Sequence, residues 1–460
     1  MTSVAIHNPW DGSVVGEVPL SGPAELEAAI GRAVAAFEVL RALPRHARAD
    51  ILSRAATIVE DRAEALAVQL VHESGKPLRF ARAELARTAF TLRIGAHEAL
   101  RLAGTEVPID VDSRGNGRIA MTRWVPKGPI AGFSPFNFPL NLVAHKLSPA
   151  IAVGASMVLK AAPQSPLSAF SLQGILREAG LPDGAFEVVH CAPEVAEAMV
   201  RDDRLKVLSF TGSDRVGWYL KSIAGRKAVL LELGGNAACV VDETADLPSA
   251  IGPIVTGAFA QAGQICIKVQ RLIVTKTVYD DVLERVVSAT KALAVGDPMD
   301  PKTLVGPLID QGHAGRVCEW IAEAERGGAG RLCGGERNGA VVSPAVMTGV
   351  PRGCRLYRDE VFGPVLSVEK ADDWQDALAR ANDTRFGLQA GVFTRDLGRA
   401  MAAFERLDVG GVMVNDVPTF RVDSMPYGGT KDSGAGREGV AYAMRELAEE
   451  RLLVLKWEPV

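Results

Sequence analysis

Between residues 24 and 105 the apolar positions recur every three or four residues, as at Leu26, Ile30, Val34 and Phe37. A recurrence of this period is typical of helices with one apolar face. The sequence therefore predicts a set of amphipathic helices in this stretch. We expect them to cover one face of a β-sheet.

From residue 128 to residue 275 the pattern changes to short apolar runs separated by helical segments. The runs lie at 157–159, 186–189, 207–210 and 238–241. Strands that alternate with helices predict βαβ units and a mostly parallel sheet, so the fold class is α/β. Because ligands of such sheets bind beyond the carboxyl ends of the strands, the loops after these runs are where we expect functional residues. A second α/β block continues to about residue 435.

Two further stretches predict strands outside these blocks. Residues 117–126 alternate between apolar and polar side chains, and residues 451–457 form an apolar run at the C-terminus. An isolated terminal strand needs a sheet to join. We expect its partner to be the strand near 117–126 or another subunit.

Length and composition narrow the class of protein. A chain of 460 residues predicts two or three domains. The net charge of −4, without a basic stripe, favours no nucleic-acid partner. The six cysteines form no Cys-x-x-Cys pair, which predicts reduced thiols in the cytoplasm and no metal site. With no signal-peptide pattern and no apolar run near the ~20 residues that span a bilayer, we expect no membrane association.

One cysteine stands out by its position. Cys266 follows a Gly263-Gln264 step and precedes the apolar run Leu272–Val274. A cysteine on a turn before a strand is a candidate nucleophile. The alternative is a small buried hydrophobic residue, which is the usual role of a free cysteine.

Three other positions carry candidate chemistry. Glu232 ends an apolar run before two glycines, where burial would raise its pKa into the range of a general base. Asn137 lies between aromatics and prolines, where its amide could donate to an oxyanion. Gly212 follows a strand and precedes Gly217 by five residues, so backbone N–H groups there could bind a phosphate. Ordinary turn chemistry remains the alternative for each.

Six motifs together resemble the NAD(P)-dependent aldehyde dehydrogenase superfamily, in that family's order and over essentially the whole chain. They are Pro-Phe-Asn-Phe-Pro at 135–139, Phe-Thr-Gly-Ser at 210–213, Glu-Leu-Gly-Gly at 232–235, Phe-x-Gln-x-Gly-Gln-x-Cys at 259–266, Glu-Val-Phe-Gly-Pro at 360–364 and Pro-Tyr-Gly-Gly-x-Lys-x-Ser-Gly at 426–434.

The resemblance implies a mechanism. Cys266 would attack the aldehyde to form a thiohemiacetal, with the Asn137 amide and the cysteine's own N–H stabilising the oxyanion. A thioester would follow, and Glu232 would activate the water that hydrolyses it. The product would be the carboxylic acid.

The resemblance also implies residues that bind the cofactor, NAD or NADP. These are Lys160 near the adenosine ribose, Gly212, Ser213 and Gly217 at the pyrophosphate turn, and Glu360 with Phe362 beside the nicotinamide ribose. Family members often carry a glutamate where this chain has Pro163. Its loss removes a negative charge that would repel a 2′-phosphate. We therefore expect the enzyme to accept NADP as well as NAD, and a preference for NADP stays open at this point.

The family fold implies a division into three parts. A Rossmann-like cofactor domain would comprise residues 1–111 and 127–235, and an α/β catalytic domain residues 236–440. Residues 112–126 and 441–460 would form a small β oligomerisation element. A homodimer or homotetramer is therefore expected.

The substrate is less sharply indicated. The segment from Arg421 to Gly429 resembles the branch with lactaldehyde, phosphonoacetaldehyde and non-phosphorylating glyceraldehyde-3-phosphate dehydrogenases. Arg87 and Arg421 could bind an anionic group, or they could form a helix-surface salt bridge and a loop anchor. Ile265 and Phe138 stand where relatives that handle phosphate carry more polar residues. We expect a short anionic or hydroxylated aldehyde.

Two rival functions stay open at this point. In a CoA-acylating dehydrogenase CoA would take the thioester, but such relatives generally lack the base at Glu232. A non-catalytic binding protein on the same scaffold would have lost part of the catalytic set, whereas Cys266, Glu232, Asn137 and Glu360 are all present.

Overall fold

The computed structural model describes residues 3–457. The predicted domain ranges begin at residue 1 and end at residue 460, so residues 1–2 and 458–460 of those ranges lie outside the described part. No helix within residues 3–457 is long and apolar enough to cross a membrane.

The N-terminal part is a β-hairpin followed by helices and a small strand pair. Its elements are β1 (Ser3–His7), β2 (Val14–Pro19), α1 (Pro23–Ala42), α2 (Arg45–Asp61), α3 (Ala63–Ser74), α4 (Leu78–Arg101), β3 (Glu106–Val107) and β4 (Arg118–Pro126). The helices predicted between residues 24 and 105 are confirmed.

Strands and helices then alternate through two blocks. The first contains β5 (Ile130–Phe133), α5 (Asn141–Val153), β6 (Met157–Lys160), α6 (Leu167–Glu178), β7 (Phe186–Val189), α7 (Pro193–Arg201), β8 (Val207–Thr211), α8 (Asp214–Ile223) and β9 (Ala228–Glu232). The second contains β10 (Ala238–Val241), α9 (Leu247–Phe259), β11 (Arg271–Thr275), α10 (Tyr279–Lys291), α11 (Gln311–Arg326), β12 (Gly330–Cys333), β13 (Arg337–Asn338), β14 (Val341–Val342), β15 (Ala345–Thr348), α12 (Arg355–Arg358), β16 (Val365–Ala371), α13 (Trp374–Asn382), β17 (Phe386–Gly387), β18 (Gln389–Phe393), α14 (Leu397–Arg406) and β19 (Gly411–Val414).

The C-terminal part contributes strands that pair with strands from earlier parts of the chain. Its elements are β20 (Thr430–Lys431), β21 (Gly434–Ala435), α15 (Val440–Leu447) and β22 (Ala448–Lys456). Strand β22 pairs antiparallel with β4 along its whole length, with Leu452 opposite Thr122. The predicted partner of the terminal strand is thereby confirmed.

Two larger sheets carry the rest of the molecule. The first sheet has the order β21-β9-β8-β5-β6-β7 and is parallel except for β21, which runs antiparallel to β9. The second sheet has the order β12-β15-β16-β11-β10-β18-β19 and is parallel except for β12. The α/β class and the mostly parallel sheet are confirmed. The domain boundaries at residues 111, 126, 235 and 440 stay a prediction.

The N-terminal helices cover the first sheet differently from the expectation. Helix α1 packs on β6 and β7, but α2, α3 and α4 pack on α5 and α6. The reason is that α5 is buried along its entire length, so the side of this helix that faces away from the sheet needs a covering layer. Its contact with α4 is close, since a Cβ on Gly95 would lie 1.9 Å from Ser148 Oγ.

Candidate active site

The predicted catalytic residues lie where the two sheets face each other. Asn137 follows β5 and Glu232 ends β9, so the first sheet contributes the carboxyl ends of its strands. Cys266 precedes β11 and Glu360 precedes β16, so the second sheet contributes the amino ends of its strands. The Gly235 N–H donates to Glu360 Oε1 over 3.0 Å and joins the two sides.

The loop that carries Cys266 has an unusual backbone. Gln261 and Ala262 both have φ of 54°, and Gly263 has φ of 68°. Consecutive residues in the left-handed region are unfavourable unless their surroundings hold them. Here the Gln261 Nε2 donates to the Asn137 carbonyl over 2.6 Å, and Gln264 Oε1 accepts from the Ile309 N–H over 2.9 Å. The two glutamines before the cysteine thus hold the loop, a role that the sequence motif had not suggested.

Cys266 is half-buried at the end of this loop. Burial raises the pKa of its thiol to about 12, and the hydroxyl of Tyr427 lowers it in part. The Tyr427 Oη lies 2.9 Å from Cys266 Sγ. A Cβ on Gly235 would lie 2.3 Å from the Cys266 carbonyl oxygen, so the glycine lets the segment between β9 and β10 pass close to the cysteine.

Asn137 is buried and directly linked to the cysteine loop. Its Nδ2 donates to the Gln264 carbonyl over 2.9 Å. Glu84 fixes the segment after Asn137. Its Oε1 accepts from the Leu140 N–H over 2.9 Å, and its carboxylate also pairs with buried Lys76. The Lys76 Nζ lies 3.9 Å from the centre of the Phe138 ring. The amide is therefore fixed relative to Cys266.

Glu232 is 5% exposed at the end of β9. Its Oε2 has no hydrogen-bond partner among the described residues. Burial, together with the nearby Glu438 carboxylate, raises its pKa well above the ordinary value. Lys146 lies between this pair and the first sheet, with its Nζ 3.7 Å from Glu438 Oε1 and 2.6 Å from Thr211 Oγ1. A carboxylate whose pKa is raised in this way is a stronger base than an ordinary one.

Two of the residues expected at the pyrophosphate turn, Ser213 and Gly217, differ in their exposure. Ser213 is exposed and is the N-cap of α8, and its side chain makes no capping hydrogen bond. The N–H groups of that helix end are thus free to meet an anion, which fits a phosphate. Gly217 is buried instead, and a Cβ on it would lie 2.4 Å from Leu233 Cδ2. Its glycine is required where α8 packs on the sheet.

The other expected cofactor residues lie along the same opening. Lys160 ends β6, half-buried, and burial lowers the pKa of its amine. Burial raises the pKa of Glu360 to about 8. Phe362 has φ of 42°, and its ring meets the Phe136 ring edge-on at 5.7 Å. These groups fit a dinucleotide. The lysine fits the adenosine and the uncapped helix end fits the pyrophosphate. The Glu360 carboxylate, which has one oxygen not bonded to Gly235, fits the ribose.

The two arginines lie behind the nucleophile rather than beside it. Arg87 Nη2 donates to Asp423 Oδ1 over 2.6 Å and its Nε to Oδ2 over 3.0 Å. Arg421 Nη2 donates to Glu438 Oε2 over 3.0 Å, and its Cζ lies 3.7 Å from the centre of the Tyr427 ring. Neither Nη1 group has a hydrogen-bond partner among residues 3–457. Both arginines are therefore paired, but each keeps one free amino group.

A buried network connects them that no sequence motif had indicated. Asp423 accepts from Asn141 Nδ2 over 3.2 Å and lies 2.8 Å from His145 Nε2. The His145 ring in turn lies 3.3 Å from Arg421 Nη2. The charged network thus runs from Arg87 to Glu438, next to the candidate base.

Comparisons with known proteins agree on one family. The profile of the aldehyde dehydrogenase family matches residues 1–452. The chain is 43% identical over 409 residues to the 3-sulfolactaldehyde dehydrogenase of Priestia megaterium, which covers 89% of this chain and 86% of that one. The crystal structure of aldehyde dehydrogenase 21 from Physcomitrella patens, in complex with the reaction product succinate, has a TM-score of 0.96 at 42% identity over 99% of this chain and 95% of that one. The glyceraldehyde-3-phosphate dehydrogenase of Methanocaldococcus jannaschii, complexed with NADP, has a TM-score of 0.95 at 35% identity over 98% and 99% of the two chains.

Proposed function

The chain belongs to the aldehyde dehydrogenase family and oxidises aldehydes to carboxylic acids with NAD or NADP, and we propose that its own substrate is a short aldehyde with an anionic group. The observation that carries this proposal is the pair of guanidinium groups that lie behind Cys266, each with an Nη1 that has no hydrogen-bond partner among the described residues. Two guanidinium donors suit a carboxylate, sulfonate or phosphate.

Each arginine contacts one aromatic residue that lies next to a predicted catalytic residue. Arg421 lies against the Tyr427 ring, whose hydroxyl contacts Cys266 Sγ. Arg87 lies 5.7 Å from the centre of the Phe138 ring, next to Asn137. An aldehyde with its carbonyl at Cys266 and its anion at the arginines would therefore be short. The sulfolactaldehyde named for the Priestia relative is a short anionic aldehyde, and the succinate bound to the Physcomitrella enzyme is a short anionic reaction product.

We further propose that the predicted catalytic residues act in the order that the resemblance implied. The Cys266 sulfur bonds to the aldehyde carbon, and the Asn137 Nδ2 and the Cys266 N–H donate to the resulting oxyanion. Bound NAD or NADP supplies the hydride acceptor. Once the thioester has formed on Cys266, Glu232 takes a proton from water, and the hydroxide adds to the thioester carbon and releases the thiolate.

The position of Glu232 favours hydrolysis over transfer to CoA. The carboxyl has a free buried oxygen and a raised pKa, as a base that activates water requires. A CoA-acylating enzyme has no use for such a group. Glu232 and Glu360 are close enough to Cys266 to affect the pKa of its thiol, and this grouping also speaks against a binding protein without activity.

The oligomeric state and the cytoplasmic location of the protein also stay predictions. Four consecutive apolar side chains on β22 are exposed, at 46–57% for Leu452 to Leu455. A surface of this character supports a homodimer or homotetramer built through that strand. The cytoplasmic location rests on the cysteine pattern alone.

The anion proposal is tested with two aldehydes of equal length, succinate semialdehyde and butanal. Arg87→Met should lower kcat/KM for succinate semialdehyde about 10- to 100-fold, the value of one or two hydrogen bonds to a charged group. For butanal it should change kcat/KM less than about threefold. Arg82→Met on the same helix, whose arginine pairs with exposed Glu64, is the matched control. An equal loss with both aldehydes would refute the proposal.

A further inference from the structure

Tyr427 is in direct contact with the sulfur of Cys266. Its hydroxyl lies 2.9 Å from Cys266 Sγ and has no other hydrogen-bond partner within the described residues. The ring is 3% exposed. The hydroxyl hydrogen therefore has one polar neighbour, and that neighbour is the nucleophile.

Two independent contacts fix the ring. The backbone of Tyr427 pairs with that of Glu438, with the Tyr427 N–H donating over 3.0 Å and the Glu438 N–H over 2.6 Å. The Arg421 guanidinium carbon lies 3.7 Å from the centre of the ring, and Glu438 Oε2 accepts a hydrogen bond from that guanidinium. The hydroxyl thus stays aimed at the sulfur.

The bond between oxygen and sulfur changes character with the charge on Cys266. While the thiol is protonated, either atom can donate. Once it is ionised, the sulfur can only accept, and a hydrogen bond to a charged acceptor is about twice as strong as a neutral one. The tyrosine therefore favours the ionised form.

We propose that Tyr427 is a catalytic residue that donates a hydrogen bond to the Cys266 thiolate, and that Arg421 is a positioning residue that holds and polarises the tyrosine. The chain thus stabilises its nucleophile with a phenol rather than with a neighbouring histidine or lysine. The proposal deepens the proposed function and rests on Cys266 being the nucleophile.

The charges around the sulfur agree with this role. Burial raises the pKa of Cys266, and the carboxylates of Glu360 and Glu232 raise it further. The Tyr427 hydrogen bond and the Arg421 charge act in the opposite direction. Burial also keeps the pKa of Tyr427 well above its ordinary value, so the phenol remains a proton donor at every working pH.

The test is the rate at which iodoacetamide alkylates Cys266 in the enzyme without substrate, followed by mass spectrometry of the Cys266 peptide from pH 6 to pH 11. Tyr427→Phe should raise the pKa of the thiol by about one to two units, which is a 10- to 100-fold lower thiolate population at each pH below that pKa. Because a less stabilised thiolate is also more nucleophilic, the rate at a fixed pH should fall only about three- to tenfold. Tyr442→Phe, on an exposed tyrosine of α15, should leave the profile unchanged.

A second variant separates the two residues. Arg421→Met should displace the profile in the wild-type background but by much less in the Tyr427→Phe background, because its effect passes through the tyrosine. A Tyr427→Phe profile that superimposes on that of the wild type would overturn the catalytic role. Equal displacements by Arg421→Met in both backgrounds would overturn the positioning role. Since no aldehyde is present, neither result depends on the substrate.

Discussion

The two ends of the strands in the second sheet form two edges that differ in how their charged side chains are paired. This difference indicates which edge carries the active site. At the carboxyl ends of its strands a cavity of about 320 Å³ is lined by Glu243, Lys276, Asp373 and Arg399, and all of these side chains except Lys276 have a polar partner among the described residues. Arg399 pairs with Asp242 and Glu243 over 2.8 and 2.7 Å, and Asp373 caps α13.

At the amino ends of the same strands the situation is reversed. Near Cys266 the buried atoms without a partner among the described residues include Glu232 Oε2, Glu438 Oε1 and Arg421 Nε. Buried polar groups that are left unsatisfied are unfavourable unless a function retains them. The comparison teaches that unsatisfied charge, rather than cavity volume or the direction of the strands, indicates the site in this half of the molecule.

A large effect is expected from Asn137, which belongs to the first sheet but bonds to the loop that carries Cys266. Asn137→Ala should lower kcat about 10²- to 10³-fold because one oxyanion donor is lost. The KM for the cofactor should change little. Steady-state kinetics with saturating NAD(P) measure both quantities.

Arg399→Met at the opposite edge is the control for that comparison. It should leave kcat/KM within about twofold, although it removes a partner of the buried Asp242 carboxylate and should lower the thermal midpoint. Similar losses of activity in the two variants would show that the edges do not differ in function.

The same contrast explains how far the sequence could lead. The apolar runs predicted β6, β7, β8 and β10 within a residue at either end, because local composition decides buried parallel strands. Asn137 and Glu232 lie at carboxyl ends of strands in the first sheet, where the sequence led us to expect functional residues. That expectation does not cover Cys266 and Glu360, which precede their strands. Cys266 stands out by its turn before a strand, and Glu360 by the family motif.

The buried network was beyond reach of the sequence for a different reason. Arg87 and Asp423 are 336 residues apart in the chain, and His145 and Arg421 are 276 apart. No local pattern relates such positions, and their pairing depends on how the two sheets meet. Gly217 shows the converse, since its motif suggested a phosphate contact and its surroundings explain the glycine by packing against Leu233.

A smaller effect is expected at the cofactor site. Pro163 carries no charge, and His190, beside Lys160 at the end of the adjacent strand β7, has a buried Nδ1 without a partner among residues 3–457. NADP should therefore bind at least as tightly as NAD in equilibrium titrations of tryptophan fluorescence. Lys160→Ala should weaken NADP about tenfold and NAD by about twofold. Tighter binding of NAD by tenfold or more in the unaltered enzyme would contradict this.

The central claim is that Cys266 forms the thioester and Glu232 hydrolyses it, and rapid mixing of Glu232→Gln with aldehyde and NAD(P) tests it most directly. The glutamine keeps the shape of the side chain but cannot take a proton, so acylation should proceed and hydrolysis should stop. We predict a burst of one NAD(P)H for each active site, followed by turnover that is slower by about 10²- to 10⁴-fold and unaffected by added CoA. Wild-type turnover without a burst, or turnover restored by CoA, would contradict the account.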